Sequence, residues 1–247
     1  MTAPGGMFTK NDYAYAELQR RILTGVLPAG AVIPQAKLAA EIGVSTTPLR
    51  EAIRRLSAEG MVELEAHRDA RVTPVSANEA RHLYQVRENL DPLAAALAAR
   101  TRTAADIAAI SNAFDRLSPI ASASDVDALV RHREFHRTVY RASGNPVLID
   151  ILERLWDKAD RYRVIGLSHR GDSPDDRSRV TAEHRAIMEA VADGDAERAD
   201  AVMREHIGNS LGRRAIDALT EDPSPADLAA ATFPIPVACA TVIDYNL

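Results

Sequence analysis

Cys239 is the only cysteine in 247 residues, which excludes an internal disulfide framework and a zinc site built from several thiolates of one chain. Any metal has to use His, Asp or Glu. No apolar run approaches the roughly 20 residues that a membrane helix needs, and the stretch from Met1 to Lys10 lacks a basic segment followed by an apolar one. The expectation is a cytoplasmic protein with no membrane partner. A basic excess is missing as well: the net charge is -5, which argues against a protein that coats nucleic acid indiscriminately. Charge is nevertheless uneven along the chain. Residues 1–76 hold 9 Lys+Arg against 8 Asp+Glu, and the remainder holds 21 against 27, so the acidic bias belongs to the C-terminal part and the N-terminal part remains compatible with DNA.

With 46% hydrophobic residues the chain can bury a full core. After a small, turn-rich stretch over residues 1–9, expected to be disordered, Thr9-Lys-Asn-Asp12 reads as a capping box. Tyr15, Leu18, Ile22 and Val26 follow at helical spacing, which predicts a helix to about Gly25. Leu38, Ala39 and Ile42 give a short second helix that Gly43 closes in a left-handed conformation. Thr47 is the expected N-cap of a third, with Pro48 at its first position and Leu49, Ile53 and Leu56 inward. From Met61 the period changes to two: Val62 and Leu64 alternate with Glu63 and Glu65, a polar tip spans His67 to Ala70, and Arg71 to Val75 is extended again. Three helices and a hairpin over residues 10–75 are the order of a winged helix-turn-helix.

Beyond it the sequence is helical throughout. Ser76 to Glu79, Thr103 to Asp106 and Ser124 to Asp127 each read as a capping box. Leu83, Val86, Leu90 and Leu97 line the first helix, with a kink expected at Pro92; Ile107, Ile110, Phe114 and Leu117 line the second. Asn145-Pro146 begins another through Leu148, Leu152 and Leu155. A loop is expected over about Gly166 to Asp176, then two helices broken near Gly194. Residues 76–218 should therefore form an antiparallel all-helical bundle, so the fold class is mainly α, and residues 219–247 form a Pro- and Ala-rich, then apolar, tail.

Two constellations carry chemistry. In Ser45-Thr-Thr-Pro-Leu-Arg-Glu-Ala-Ile-Arg-Arg-Leu56 the inward Leu49, Ile53 and Leu56 leave Arg50 and Arg54 one turn apart on another face. The hydroxyls of Ser45, Thr46 and Thr47 cluster at the helix start, where free amides meet phosphate, and Arg reaches guanine edges in the major groove. The bland alternative is a solvated amphipathic helix. In the second constellation, His132 and His136 share a helix face with Leu129 and Val139, His184 interrupts Val180, Ile187 and Val191, and His206 follows Ala199 and Val202. Neutral imidazoles on facing bundle helices are a natural set of ligands for Zn2+, or for Ni2+. Four separately satisfied core histidines are the alternative. An enzyme is the rival class, but His132-Arg-Glu-Phe-His136 places its Glu two residues after the first His, so the H-E-x-x-H arrangement is absent.

The run from Ile22 to Val75, with Leu27-Pro-Ala-Gly30, Leu38-Ala-Ala-Glu-Ile-Gly-Val-Ser45, Thr47-Pro-Leu-Arg-Glu-Ala-Ile53 and Glu59-Gly60, resembles the N-terminal domain of the GntR family of transcription regulators. Phe135-His136, Ser143-Gly-Asn145, Glu183-His184, Gly194-Asp195 and His206 resemble the helical sensor domain of its FadR branch, called FCD. The resemblance implies a homodimer that binds double-stranded operator DNA through Ser45, Thr46, Thr47, Arg50, Arg54 and the wing residue Arg68. It implies a divalent metal at His132, His136, His184 and His206 and a small organic acid, a carboxylate effector, reaching that metal, with Arg87 and Asn209 as effector-binding candidates. A metal-free effector pocket is the alternative within the same class. Three positions depart from the family pattern: Thr46 stands where Arg is common, Asp69 follows Arg68 where Gly is usual, and His132 occupies the place of an Asp. Imidazole in place of carboxylate leaves the ion's charge uncompensated, which favours an anionic effector and disfavours hard ions such as Mg2+.

Overall fold

The computed structural model describes residues 9–64, 70–118, 120, 125–169 and 173–221. In the N-terminal unit, α1 (Lys10–Leu23), α2 (Gln35–Glu41) and α3 (Thr46–Ala58) precede a two-stranded antiparallel ribbon, β1 (Val62–Leu64) and β2 (Ala70–Val72). Val62 pairs with Val72 and Leu64 with Ala70. The Thr9 and Asp12 capping box closes α1, and Gly43 ends α2 with φ 72°. Leu18, Ile22, Leu38, Leu49, Ile53, Leu56, Met61 and Val72 make one core, so α3 is held with its arginine face outward.

Several expectations are corrected here. Ser45, with extended backbone, is the N-cap of α3 rather than Thr47. Pro48 is then the third helical residue, still inside the first turn, where its missing N–H has no partner to lose. Val26 and Leu64 are exposed: α1 ends before Val26, and Leu64, on the same side of β1 as Val62, is at the far end of a strand that is buried only at Val62. The polar tip of the wing, Arg68 included, lies outside the described residues.

The C-terminal unit comprises α4 (Ala77–Thr101), α5 (Ala104–Asp115), α6 (Val126–Ala142), α7 (Pro146–His169), α8 (Pro174–Asp193), α9 (Ala196–Gly208), a 3-10 turn over Leu211–Arg213 and α10 (Arg214–Glu221). The buried α4 lies against α9 most extensively and also against α6, α7, α8 and α10. Its alanine-rich second half, with Ala94, Ala95, Ala98 and Ala99 all buried, allows those helices to approach closely. The expected kink does not interrupt α4, which runs through Pro92. Proline removes the N–H that would bond the carbonyl four residues earlier, and Arg204 of α9 donates to that orphaned Glu88 carbonyl at 2.5 Å instead.

Val86 is exposed rather than part of the inward stripe, while Arg87 and Asp91 are buried in its place. Asp125, not Ser124, caps α6 by accepting from the Ala128 amide. The expected loop over Gly166 to Asp176 is largely helix: α7 continues to His169 with Gly166 buried, and Ser173 and Asp176 close a capping box that starts α8. The boundary expected at residue 218 falls inside α10, whose Leu219 packs on the bundle core. Among the described residues no helix is long and apolar enough to cross a membrane.

The two units touch through polar side chains. Arg161 of α7 donates to the Thr73 carbonyl at 2.6 Å. On α1, Gln19 donates to Asp157 of α7 at 3.3 Å, and the same Asp157 carboxylate receives Arg133 of α6 at 2.6 Å.

Candidate functional site

On α3 the structure places Ser45, Thr46, Thr47, Arg50 and Arg54 together on one exposed face. Arg54 is drawn to Glu51 at 2.6 Å, an exposed pair worth little and easily exchanged for a phosphate. The Ser45 side chain makes no capping hydrogen bond, so the amides of the first turn are open to an outside acceptor.

In the bundle, α6, α8 and α9 bring His132, His136, His184 and His206 together, with one nitrogen from each lying within 4.8 Å of the others. All four are buried. Helical phase explains the first pair, since residues four apart share a face. His136 Nε2 stands 3.2 Å from His184 Nε2. Four nitrogens around one ion sit roughly 3.3 Å apart when each bond is about 2.0–2.1 Å, so this pair already has a ligating separation.

The remaining nitrogens point the same way. Both ring nitrogens of His132, Nδ1 of His136 and Nε2 of His206 are buried without a hydrogen-bond partner, a state that costs about 1–3 kcal/mol per polar group unless something fills it. His206 Nδ1 meets the Glu183 carboxylate at 2.9 Å, which fixes the ring and turns Nε2 toward the cluster. Burial, reinforced by the neighbouring Arg163 and the other imidazoles, holds His132, His136 and His184 well below the ordinary histidine range. For His206 burial also lowers the value, against the opposing pull of Glu183. The four rings are therefore neutral near pH 7, the form that donates a lone pair to a metal. This donor set fits a divalent transition ion.

Trp156 of α7 closes one side of the cluster, its ring centroid 4.9 Å from that of His136. On the other side lies a cavity of about 240 Å3 with His132, His184 and the buried Arg163 in its wall and Arg177 and Arg185 of α8 also lining it. Arg87 does not reach into that cavity. It is buried against Asp91 at 2.9 Å with its guanidinium 4.6 Å above the Trp156 ring, and Asp91 also accepts from the Tyr140 hydroxyl. Asn209 sits exposed at the end of α9 and donates to Glu183 at 3.2 Å, one carboxylate removed from His206. Sequence reasoning missed Glu183 and Arg163. Glu183 shows in the sequence only as the neighbour of His184, and Arg163 carries no local signal, because a basic residue in an apolar helix reads as a solvated one.

Residues 10–72 match the family model described as bacterial regulatory proteins, gntR family, and residues 82–209 match that of the FCD domain. The chain is 31% identical over 215 residues to an uncharacterized HTH-type transcriptional regulator in an unstable DNA locus of Streptomyces ambofaciens, covering 84% of this chain and 85% of that protein. It is 29% identical over 193 residues to a probable D-xylose utilization operon transcriptional repressor of Paenarthrobacter nicotinovorans, covering 77% and 82%. Among solved structures, E. coli McbR/YncC superposes with a TM-score of 0.69 at 21% identity, covering 88% of this chain and all of that one, a likeness of fold. The matched families and these relatives are regulators, not enzymes.

Proposed function

The chain belongs to the gntR family of bacterial regulatory proteins and is a DNA-binding transcription regulator with an FCD effector-binding domain, and from that premise we propose that the bundle responds to a small carboxylate effector through a divalent metal. The convergence of four buried imidazoles, three of them with unpartnered nitrogens, carries this reading. His132, His136, His184 and His206 would hold the ion, Zn2+ or Ni2+, and the bound ion would supply the positive charge that draws a carboxylate. His132 and His184 open toward the cavity, so an effector there lies beside the cluster. Glu183 orients His206, and Asn209 acts through Glu183 rather than on the effector. Metal content after purification without chelator tests the reading. About one ion per chain is expected, with His132→Ala and His206→Ala each lowering affinity by at least the roughly 10 to 100-fold seen when supporting groups are lost; protein that takes up neither Zn2+ nor Ni2+ overturns it.

In the same reading α3 enters the major groove with Ser45, Thr46, Thr47, Arg50 and Arg54, the wing adds Arg68, and a homodimer sets two such helices on a two-fold operator. Arg50→Ala removes specific binding and leaves the fold intact; an unchanged footprint for this variant would refute the assignment. The two units communicate through α6. His132 faces the cluster, and its neighbour Arg133 holds Asp157, which in turn receives Gln19 of α1. A shift of α6 on effector binding thus changes the polar contacts that seat the DNA-binding unit.

A further inference from the structure

Three separate segments of the DNA-binding unit meet one side of α7. Gln19 of α1 donates to the Asp157 carboxylate at 3.3 Å. Gly60, which follows α3 with φ 74°, lies so close under the Lys158 side chain that a Cβ there would stand 3.0 Å from its Cε. Thr73, just beyond β2, accepts from Arg161 through its carbonyl at 2.6 Å. Each of the three is the chain neighbour of a core residue of that unit, Leu18, Met61 and Val72 respectively, so the grip passes directly to its core. Contacts from three different segments fix the attitude of a packed body, and with it the direction in which α3 presents Arg50 and Arg54.

The opposite side of the same helix faces the imidazoles. At about 3.6 residues per turn, Asp157, Lys158 and Arg161 share one side of α7, while Trp156 and Arg163 share nearly the opposite one. The Trp156 ring centroid lies 5.4 Å from that of His132 and 4.9 Å from that of His136, and Arg163 lines the cavity together with His132 and His184. One helix is therefore the wall of the site on one side and the seat of the DNA-binding unit on the other. A packed helix transmits displacement, because close-packed interiors have little room to absorb it. Resting on the effector reading above, we infer that α7 converts occupancy of the site into the attitude of α3, with Asp157, Lys158 and Arg161 as the positioning residues. Arg133 of α6 also ends on Asp157, so the α6 contact feeds the same seat.

Pulsed electron spin resonance on the full-length protein measures this attitude. Nitroxide labels at Lys37→Cys of α2 and Ala108→Cys of α5, both exposed positions, in a Cys239→Ser background, report one distance between the units when labelled chains are diluted with unlabelled ones. Metal-free protein with an intact seat is expected to give a single narrow distribution. A hydrogen bond to a charged group shifts an equilibrium by roughly 10 to 100-fold, so Gln19→Met and Arg161→Met should each raise the undocked population by about that factor and broaden the distribution. Lys158→Ala, which removes the stem under Gly60, should act in the same direction. Gln19 and Lys158 are only partly buried, so their variants keep the fold whatever Arg161→Met does. Zn2+ alone should then move the distance when the seat is intact, and Gln19→Met should lose that shift. A distribution that stays narrow in all three variants, or one that is broad before any of them is made, would overturn the seat. Zinc content is measured separately, and bound zinc with an unmoved distance would overturn the coupling. Protein that takes up no zinc ends the metal reading alone; Trp156→Phe, which alters the wall without a metal, then serves as the perturbation, and an unmoved distance overturns the coupling in that case too.

Discussion

Replacing Asp91 by Asn isolates the energetics of the one fully buried ion pair on α4. Arg87 and Asp91 are 1% and 0% exposed, and they meet at 2.9 Å. Burial by itself would lower the Arg87 pKa, but the Asp91 carboxylate more than offsets this and holds the guanidinium above its ordinary value. Asparagine keeps the shape and an oxygen that can still accept from Tyr140, yet removes the charge that neutralises Arg87. Breaking a buried pair in this way costs about 3–5 kcal/mol; because the Tyr140 contact can survive, the lower end, about 3 kcal/mol, is expected. At roughly 2–4 °C per kcal/mol for a chain of this size, Tm should fall by roughly 6–12 °C. Urea unfolding followed by tryptophan fluorescence reads this directly, because Trp156 is the only tryptophan and lies beneath the Arg87 guanidinium. Removing the cation as well, Arg87→Met with Asp91→Asn, should return most of that stability, since no charge is then left unpaired and the Tyr140 hydroxyl keeps its acceptor. An Asp91→Asn cost below about 0.5 kcal/mol, or a double variant no better than the single one, would refute the reasoning.

Chelator-treated protein should lose stability as pH falls below about 6.5, the reference value of an unfolded histidine, because the unfolded chain takes up protons that the four buried imidazoles, with depressed values, refuse. Each such histidine contributes up to about 1.4 kcal/mol per pH unit. Asp160, pushed up to about 6 by burial, opposes one of them below that pH, and a flat urea midpoint between pH 7 and 5.5 would exclude the effect. Gly194→Ala should cost about 1–2 kcal/mol in the left-handed region, because Gly194 has φ 78° and an added Cβ meets the Arg102 guanidinium; unchanged urea unfolding would contradict this. Arg133→Ala should leave zinc uptake intact but abolish zinc-dependent protection of α1 amides from hydrogen exchange, and persistence of that protection would remove α6 from the signalling path.

The fold was legible where local chemistry decides it. Thr9 with Asp12, Thr103 with Asp106, Gly43 and Gly194 mark helix ends by hydrogen bonds or left-handed backbone that a few neighbouring residues dictate. Legibility failed where a distant partner overrides the local signal. Pro92 reads as a break until Arg204, 112 positions on, supplies the missing donor to Glu88. Gly166 and Ser168 read as loop formers, yet α7 is held helical to His169 because Val164 and Leu167 pack into a small cluster with Ile120, Ala128 and Leu129. Val86 reads as core and Arg87 as an effector-binding residue, and the helix is rotated so that Arg87 donates to Asp91, which Tyr140 also supports, and lies over Trp156.

At the candidate site the same division separates ligands from their supports. A histidine on an apolar stripe is visible from its own helix, because burying an imidazole there needs a reason, and three such stripes with four histidines point inward on α6, α8 and α9. The groups that set the charge of the site have no such mark. Arg163 occupies a face of α7 that also carries Asp160, and both are buried, so the pattern reads as solvated until α6 and α8 cover it. Glu183 sits beside His184 in the chain but serves His206 on another helix. One turn of α8 therefore supplies His184 to the cluster and orients a second member through Glu183, while Arg179 reaches the same carboxylate from the surface at 2.6 Å. A local pattern finds residues that must leave water; it cannot find residues whose role is to compensate for the charge or the orientation of others, because that role exists only once the helices have met.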